Sequence, residues 1–92
     1  MTETDQARLK RLTMRSCRRG MKEMDLILGP YAAAHLGAMD ESSLAEYDAL
    51  LSENDQDLYA WITGAVPTPD ALAALIGQIS RFALDPARDG RF

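Results

Sequence analysis

The sequence has only one cysteine and one histidine among its 92 residues. A single cysteine excludes an internal disulfide framework, and a single histidine excludes the common Cys/His zinc sites. No apolar run approaches the roughly 20 residues that a membrane span needs. Charged residues recur from Glu3 to Glu23, where a secretory signal would be apolar. These absences predict a soluble protein of a reducing compartment that does not insert into membranes.

Lysine and arginine are missing from the long central part of the chain. Residues 1–22 carry seven basic side chains and two carboxylates, whereas residues 23–80 carry ten carboxylates and no lysine or arginine. The net charge of -4 and the pI near 4.8 disfavour general nucleic-acid binding. Two interpretations of the basic segment stay open. Its cations pair with the acidic remainder of the chain, or they meet an acidic protein surface, an anionic lipid or a nucleic acid.

Apolar residues recur at helical spacing through most of the chain, and no segment alternates as a strand would. Two helices are predicted at about 4–18 and 21–36. Caps at Asp40 or Ser42, at Asn54 or Asp55, and at Thr68 predict three more. The fold class is therefore all-α, a compact single-domain bundle of four to five helices over residues 1–84. A polar, flexible tail is expected at 85–92.

Two local features of the first helices carry further predictions. Pro30 lies inside the second helix, where it lacks an amide donor and clashes with the preceding turn, so a kink or a restart is expected there. Cys17 shares a helical face with Leu9, Leu12 and Ser16. A lone cysteine in such a helix is expected to be buried packing.

The sequence offers no catalytic site. Cys17 has no assured base, because His35 lies beyond the expected kink. The glycines are scattered singly, so no phosphate-binding loop is present. Four carboxylates lack the spacing and the glycine of a calcium loop and are expected to form a solvated acidic surface: Asp48, Glu53, Asp55 and Asp57. We therefore expect a protein that is not an enzyme and holds no metal.

One segment, residues 17–25, carries more information than the rest. Gly20 marks a turn or a close backbone approach, with Arg19 before it and Glu23 three residues later. The residues alone leave two interpretations open. Arg19 and Glu23 form a local pair at a helix start, or both project from an exposed corner that contacts a partner.

These residues closely resemble a known family, the SdhE-type FAD assembly factors of bacteria and their mitochondrial counterparts. The hallmark of that family, Arg-Gly-x-x-Glu, is matched by Arg19, Gly20 and Glu23. A second block, residues 54–61, is similar to the family's acidic-Leu-aromatic-x-Trp stretch and contains Leu58 and Trp61. The resemblance covers roughly residues 8–82, which is most of the chain.

The resemblance implies a non-catalytic, chaperone-like assembly factor. Such a protein promotes covalent FAD attachment to the flavoprotein subunit of succinate dehydrogenase, and in some cases of fumarate reductase. The flavinylated histidine then belongs to the partner and is not His35, and this chain binds no cofactor tightly. We expect a free monomer in a bacterial cytoplasm, or in the mitochondrial matrix of a eukaryote. The expected partner-binding residues are Arg15, Arg18, Arg19, Gly20, Glu23 and Asp57.

Separate roles follow for these residues. Gly20 permits close approach, and the planar donors of Arg19 face the partner. Glu23 orients Arg19 or accepts a bond from the partner. Basic residues of the first helix steer docking, namely Arg8, Arg11, Arg15 and Arg18.

Two alternatives from other classes remain at this stage. The basic first helix also fits an antitoxin-like or nucleic-acid-binding small helical protein, although the acidic body argues against it. The other alternative is a carrier that binds FAD itself, which the absence of a glycine-rich loop disfavours.

Overall fold

The computed structural model describes residues 4–84. In chain order its elements are α1 (Asp5–Cys17), α2 (Lys22–His35), a 3₁₀ helix (Leu36–Ala38), α3 (Glu41–Leu50), α4 (Asp55–Thr63) and α5 (Asp70–Ala83). Within this range there is no strand, and no helix is long and apolar enough to cross a membrane. The predicted all-α fold is confirmed. The tail predicted at 85–92 lies outside the described residues.

Capping side chains fix where α3 and α4 begin. The Asp40 carboxylate accepts a hydrogen bond from the Ser43 N–H at 2.8 Å, and the Asn54 side chain accepts one from the Gln56 N–H at 2.8 Å. Both contacts satisfy amide donors that the first turn of a helix leaves free. At the other end of α4, Gly64 has φ +82°, a left-handed conformation that glycine adopts without a steric penalty.

Helix α5 begins one residue later than its sequence signal indicates. Pro69, predicted at the first helical position after a Thr68 cap, itself occupies the cap position. Its φ of -57° suits a helix, but its ψ of 143° is extended, so the first helical residue is Asp70.

Pro30 does not interrupt α2, which runs unbroken from Lys22 to His35. Of the two predicted outcomes, the restart is therefore wrong, and the kink stays a prediction. Proline removes one backbone hydrogen bond, but Ile27, Leu28 and Tyr31 are buried on either side of it. Burial of these side chains holds both halves of the helix in the same core and offsets the lost bond.

The hydrophobic core is built around α2, which packs against α1, α4 and α5. Apolar residues at helical spacing in this region face the core, because Met24, Leu28, Tyr31 and Leu36 are all buried. The other helices contribute one or more buried side chains each: Leu12, Tyr47, Leu50, Leu58, Ile62, Leu75, Ile76 and Ile79. Trp61 is partly buried against this core.

Cys17 corrects one prediction for α1, because it is exposed rather than buried. The helix turns by about 100° per residue, and Ser16 takes the inward position with no exposed surface. Cys17 then lies at the edge between α1 and α2, where its Sγ would be 3.4 Å from a Cβ added to Gly29. A Cβ at Gly29 would therefore be in ordinary van der Waals contact with Cys17, which shows that the end of α1 lies beside this part of α2.

A buried polar contact joins α1 to α3. The Ser16 hydroxyl donates to the Leu12 carbonyl at 2.8 Å, and its oxygen lies 2.6 Å from the Tyr47 hydroxyl oxygen. Because serine has one hydroxyl proton, Tyr47 must be the donor to Ser16. Burial raises the pKa of Tyr47 to about 12.

We predict that Tyr47→Phe destabilises the fold by about 1 kcal/mol, because the variant loses one buried hydrogen bond. Urea unfolding followed by circular dichroism measures the change. Tyr59→Phe is the matched control on α4, because no side-chain hydrogen bond of the Tyr59 hydroxyl is found within residues 4–84. It should leave stability unchanged. Equal stability of Tyr47→Phe and wild type would contradict the proposed contact.

The hydrogen bond between Ser16 and Tyr47 also predicts how the stability of the fold changes at high pH. The pKa of Tyr47 is raised from 10.0 to about 12 in the folded state, so its contribution is complete below pH 10 and is lost as pH rises towards 12. The stability advantage of wild type over Tyr47→Phe should therefore shrink across this interval. The other titratable groups are the same in both proteins, so their effects on stability cancel when the two are compared.

Candidate partner-docking turn

Residues 18–21 join α1 to α2 and form a turn that is braced from inside by Arg19. The guanidinium Nε donates to the Asp55 Oδ1 at 2.5 Å. Its Nη1 donates to the Leu51 carbonyl at 2.7 Å, and its Nη2 donates to the Glu53 carbonyl at 2.9 Å. Only 10% of the Arg19 side chain is exposed. The planar fork therefore binds the end of α3 and the start of α4.

The backbone of the turn is held as well as the side chain. The Gly20 N–H donates to the Asp55 Oδ2 at 2.8 Å, so one carboxylate binds both the Arg19 side chain and the next amide. The Arg19 N–H donates to the Asp25 Oδ1 at 2.5 Å. Charge-assisted bonds of this kind are about twice as strong as neutral ones. Hydrogen bonds thus hold the turn to Asp55 at the start of α4 and to Asp25 in α2.

This geometry contradicts one of the two roles expected for Glu23, that of orienting Arg19, and leaves contact with a partner as a prediction. The carboxylates that orient Arg19 are Asp55 and Asp25, and Glu23 is exposed in the first turn of α2. The Arg19 guanidinium is attracted inward because the carbonyls at the end of α3 lie at the negative end of the helix dipole. The guanidinium therefore points inward, in contrast to the expectation that its donors face a partner.

Gly20 is the apex of the turn, and the fold does not require a glycine there. The residue is exposed, and within residues 4–84 a positive φ is found at Gly64 and not at Gly20. A Cβ added to Gly20 would meet the Asp55 Oδ2 at 3.4 Å, which is ordinary contact. Alanine would therefore fit. A longer side chain at this position would extend into the solvent.

The three arginines of α1 also form ion pairs within the chain. Arg8 Nη1 lies 2.6 Å from a Glu41 oxygen. Arg15 Nη1 and Arg11 Nη2 lie 2.6 Å and 3.1 Å from the two oxygens of Asp48. Of the two interpretations of the basic segment, internal pairing is the one that the structure shows for Arg8, Arg11, Arg15 and Arg19.

The expected solvated acidic surface is wrong for two of its four members. Asp48 is held by Arg11 and Arg15, and hydrogen bonding from Arg11 is the largest cause that lowers the pKa of Asp48. Asp55 is 16% exposed and is bound by Arg19. Glu53 and Asp57 are exposed, as expected.

Four of the six predicted partner residues are exposed. Arg18 and Asp57 are exposed, and neither makes an ion pair with another residue in the described range. Gly20 and Glu23 are exposed as well. Partner contact by any of the six predicted residues stays a prediction. The residues that sequence reasoning missed are Asp25 and Asp55, since Asp55 was assigned only to a helix cap or an acidic surface.

No group of three metal-ligating side chains occurs in the part of the chain that the structure describes. A cavity of about 320 Å³ lies between α2, α3 and α5 at the other end of α2 from Gly20. His35 lines it, with its ring stacked on Tyr31 at a centroid distance of 4.5 Å. The cavity is therefore separate from the turn.

Within residues 4–84, five α-helices with α2 at the centre and an exposed turn held by Arg19 and Asp55 define the class: a small all-α protein. The sequence model of the family described as flavinator of succinate dehydrogenase matches residues 10–83. The chain belongs to this family, which confirms the family that the sequence resemblance indicated.

Curated relatives agree with this assignment. Succinate dehydrogenase assembly factor 2, mitochondrial, of Meyerozyma guilliermondii is 42% identical over 71 residues, which cover 74% of this chain and 53% of the relative. The protein of the same name from Saccharomyces cerevisiae is 42% identical over 78 residues, with 79% and 48% covered. That of Danio rerio is 44% identical over 63 residues, with 66% and 40% covered. The chain spans about half the length of the curated relatives it matches.

We predict that Asp55→Asn destabilises the protein by about 2 kcal/mol, because the Arg19 guanidinium loses its charged acceptor. Asp57→Asn is the matched control: it removes a carboxylate from the same first turn of α4, but from an exposed residue. Both variants lose a similar interaction with the helix dipole. Urea unfolding compares them, and equal effects of the two variants would contradict the bracing role of Asp55.

Asp48 gives a second prediction, on acid stability. Its folded pKa is lowered, so its contribution is present above the unfolded value of about 3.9 and is lost as pH falls through the folded value. Asp48→Asn should cost about 1 kcal/mol at neutral pH. The gap to wild type should close as pH falls below about 3.9. Glu46→Gln, an exposed change on the same helix, should show no such closing gap.

Proposed function

We propose that this chain promotes covalent attachment of FAD to the flavoprotein subunit of succinate dehydrogenase, and that fumarate reductase is a second client. In this proposal the chain acts as a chaperone-like binding partner with no catalytic group of its own. The observation that carries the proposal is the turn at Gly20: it is rigid, exposed and without a side chain, although the fold would accept one.

A glycine that the fold does not need is explained by a surface that approaches it from outside. The bonds of Arg19 to Asp55, Leu51 and Glu53 fix the turn before a partner arrives. Docking then costs little ordering entropy, which favours binding through a small contact. Arg19 acts in this proposal as a positioning residue, and Gly20 with Glu23 forms the contact itself.

Family membership supports the identity of the partner. The family is described as flavinator of succinate dehydrogenase, and the relatives are named mitochondrial assembly factors of that enzyme. The flavin supplies the reactivity for its own covalent attachment. A bound helper contributes by favouring the flavoprotein conformation in which the histidine and the flavin meet. We propose the mitochondrial matrix as the compartment in a eukaryote and the cytoplasm in a bacterium.

FAD stays with the flavoprotein in this proposal, and the chain works as a monomer when free. The sequence has no glycine-rich phosphate loop, which supports weak or no binding of free FAD. Four of the seven basic residues in the first 22 pair within the chain, which also weakens the nucleic-acid alternative. Equilibrium titration with FAD tests whether the chain binds free FAD, and sedimentation of the free chain tests whether it is a monomer.

The central test replaces Gly20 by arginine and measures covalent flavin. In cells that lack this gene, in-gel flavin fluorescence of the succinate dehydrogenase flavoprotein should return with the wild-type chain and stay at background with Gly20→Arg. The arginine side chain would occupy the space that the partner needs. The matched control is Gly37→Arg, since Gly37 is exposed, has nothing within 4 Å of an added Cβ and lies in the 3₁₀ helix after α2.

Gly37→Arg should restore flavinylation fully. Purified Gly20→Arg should keep its helical circular dichroism and unfold within about 0.5 kcal/mol of wild type, as surface substitutions usually do. Unfolding of Gly20→Arg would show that glycine serves the fold and would remove the main support for docking. Equal rescue by both arginine variants would overturn the proposal.

A further inference from the structure

Apart from Arg19, the cations of α1, the turn and the start of α2 divide into two groups, those in ion pairs and those exposed without one in the described range. Arg8, Arg11 and Arg15 face α3 and are held by Glu41 and Asp48. Lys10, Arg18 and Lys22 are exposed, and none of these three forms an ion pair with any residue from 4 to 84. Although the net charge is -4, three exposed cations in the described part of the chain are therefore not held in ion pairs by its carboxylates.

Exposed apolar side chains lie among these three cations. Met14 is 43% exposed and Leu26 is 36% exposed. On α1, Lys10, Met14 and Cys17 follow at spacings of four and three, which places them on one side of the helix. On α2, Lys22 and Leu26 are four residues apart and share a side in the same way.

The two rows are neighbours across the α1–α2 contact. Cys17 Sγ would lie 3.4 Å from a Cβ on Gly29, and Gly29 is three residues from Leu26 on α2. The exposed side chains of the two rows are grouped here as one surface, called the outer face. It consists of Lys10, Met14, Cys17, Arg18, Lys22 and Leu26, and its Arg18 and Lys22 flank the turn that contains Gly20.

We propose that the outer face is a second contact surface for the flavoprotein, and that it fits an apolar patch bordered by carboxylates. This inference rests on the proposed function. The Gly20 turn alone is much smaller than the roughly 800 Å² per partner of a typical specific interface. On the α4 side, the exposed residues near the turn include the acidic Glu53 and Asp57, whereas the exposed cations Arg18 and Lys22 lie on the α1 and α2 side. A partner surface with carboxylates that covers Gly20 therefore extends over the side formed by α1 and α2.

Charge favours an acidic protein surface over the other occupants. In a symmetric pair of copies, the outer face would meet itself and bring its unpaired cations together, which disfavours self-association. A membrane surface gains only about 1 kcal/mol per basic residue, and this face has three in a protein of net charge -4. An acidic rim on one partner neutralises all three at once.

The first arm of the test removes the apolar contacts. Purified apo-flavoprotein is immobilised and its binding kinetics are measured with the full chain. The double variant Met14→Gln/Leu26→Gln should weaken the Kd about tenfold, mainly through faster dissociation. Val66→Gln is the matched control, because Val66 is 47% exposed and lies in the loop after α4. It should stay within about twofold of wild type.

The second arm reverses charge. Arg18→Glu/Lys22→Glu should slow association about tenfold at low salt, and the difference from wild type should largely disappear at about 0.5 M salt. Arg81→Glu reverses an exposed charge on α5 and should have little effect. All substituted side chains are exposed or intermediate in exposure, and circular dichroism checks that the helices persist.

The outcomes separate this inference from the proposed function. If Gly20→Arg abolishes binding while both outer-face variants bind like wild type, the outer face is not a contact and the proposed function stands. If the wild-type chain does not bind the flavoprotein, the proposed function fails, and with it the occupant named here. If the outer-face variants lose only self-association or binding to phosphatidylglycerol vesicles, the face belongs to a second copy or to lipid, and the inference is overturned.

Discussion

The ion pair between Arg19 and Asp55 is the constraint on which the exposed turn depends. It ties the segment before α2 to the first residue of α4, and the same carboxylate also binds the Gly20 amide. Both side chains are largely shielded from water, at 10% and 16% exposure, so the pair is screened less than a surface pair. Its remaining donors reach two backbone carbonyls, which satisfies the polar groups that such burial desolvates.

This arrangement separates the residue that supports the turn from the residues that a partner can reach. Arg19 holds the backbone from inside, while Gly20 and Glu23 face solvent. The acidic central part of the chain has a corresponding role. Asp48 and Asp55 neutralise arginines of the first 19 residues, so the sharp charge asymmetry of the sequence becomes a set of internal contacts. The basic residues left over lie together on the outer face.

Much of the fold was predictable because its signals are local. The caps at Asp40 and Asn54, the stop at Gly64 and the apolar stripe of α2 each depend on a few neighbouring residues, and the structure confirms them. Errors arose where packing decides between local alternatives. Pro30 stays inside a helix because the core holds both halves, and Cys17 is exposed because Ser16 takes the inward position.

The site was located by its motif, but its geometry was not predictable. Arg19 and Asp55 are 36 residues apart, and neither periodicity nor capping signals indicate which distant carboxylate an arginine binds. Nearby Glu23 was the obvious local candidate, and it is not the partner. Leu58 and Trp61, in contrast, lie three residues apart, and this helical spacing alone indicates that both pack against the core, as the structure shows. Long-range ion pairs carry no such local signal.

Hydrogen–deuterium exchange of the whole chain, with and without apo-flavoprotein, shows where on the chain the flavoprotein binds. We predict that binding slows exchange in peptides that cover residues 14–26, which contain the Gly20 turn and most of the outer face. Exchange around residues 36–44, at the far end of α2, should not change. Protection confined to residues 36–44 would contradict the account, because the flavoprotein would then bind beside the cavity at His35 and not at the turn.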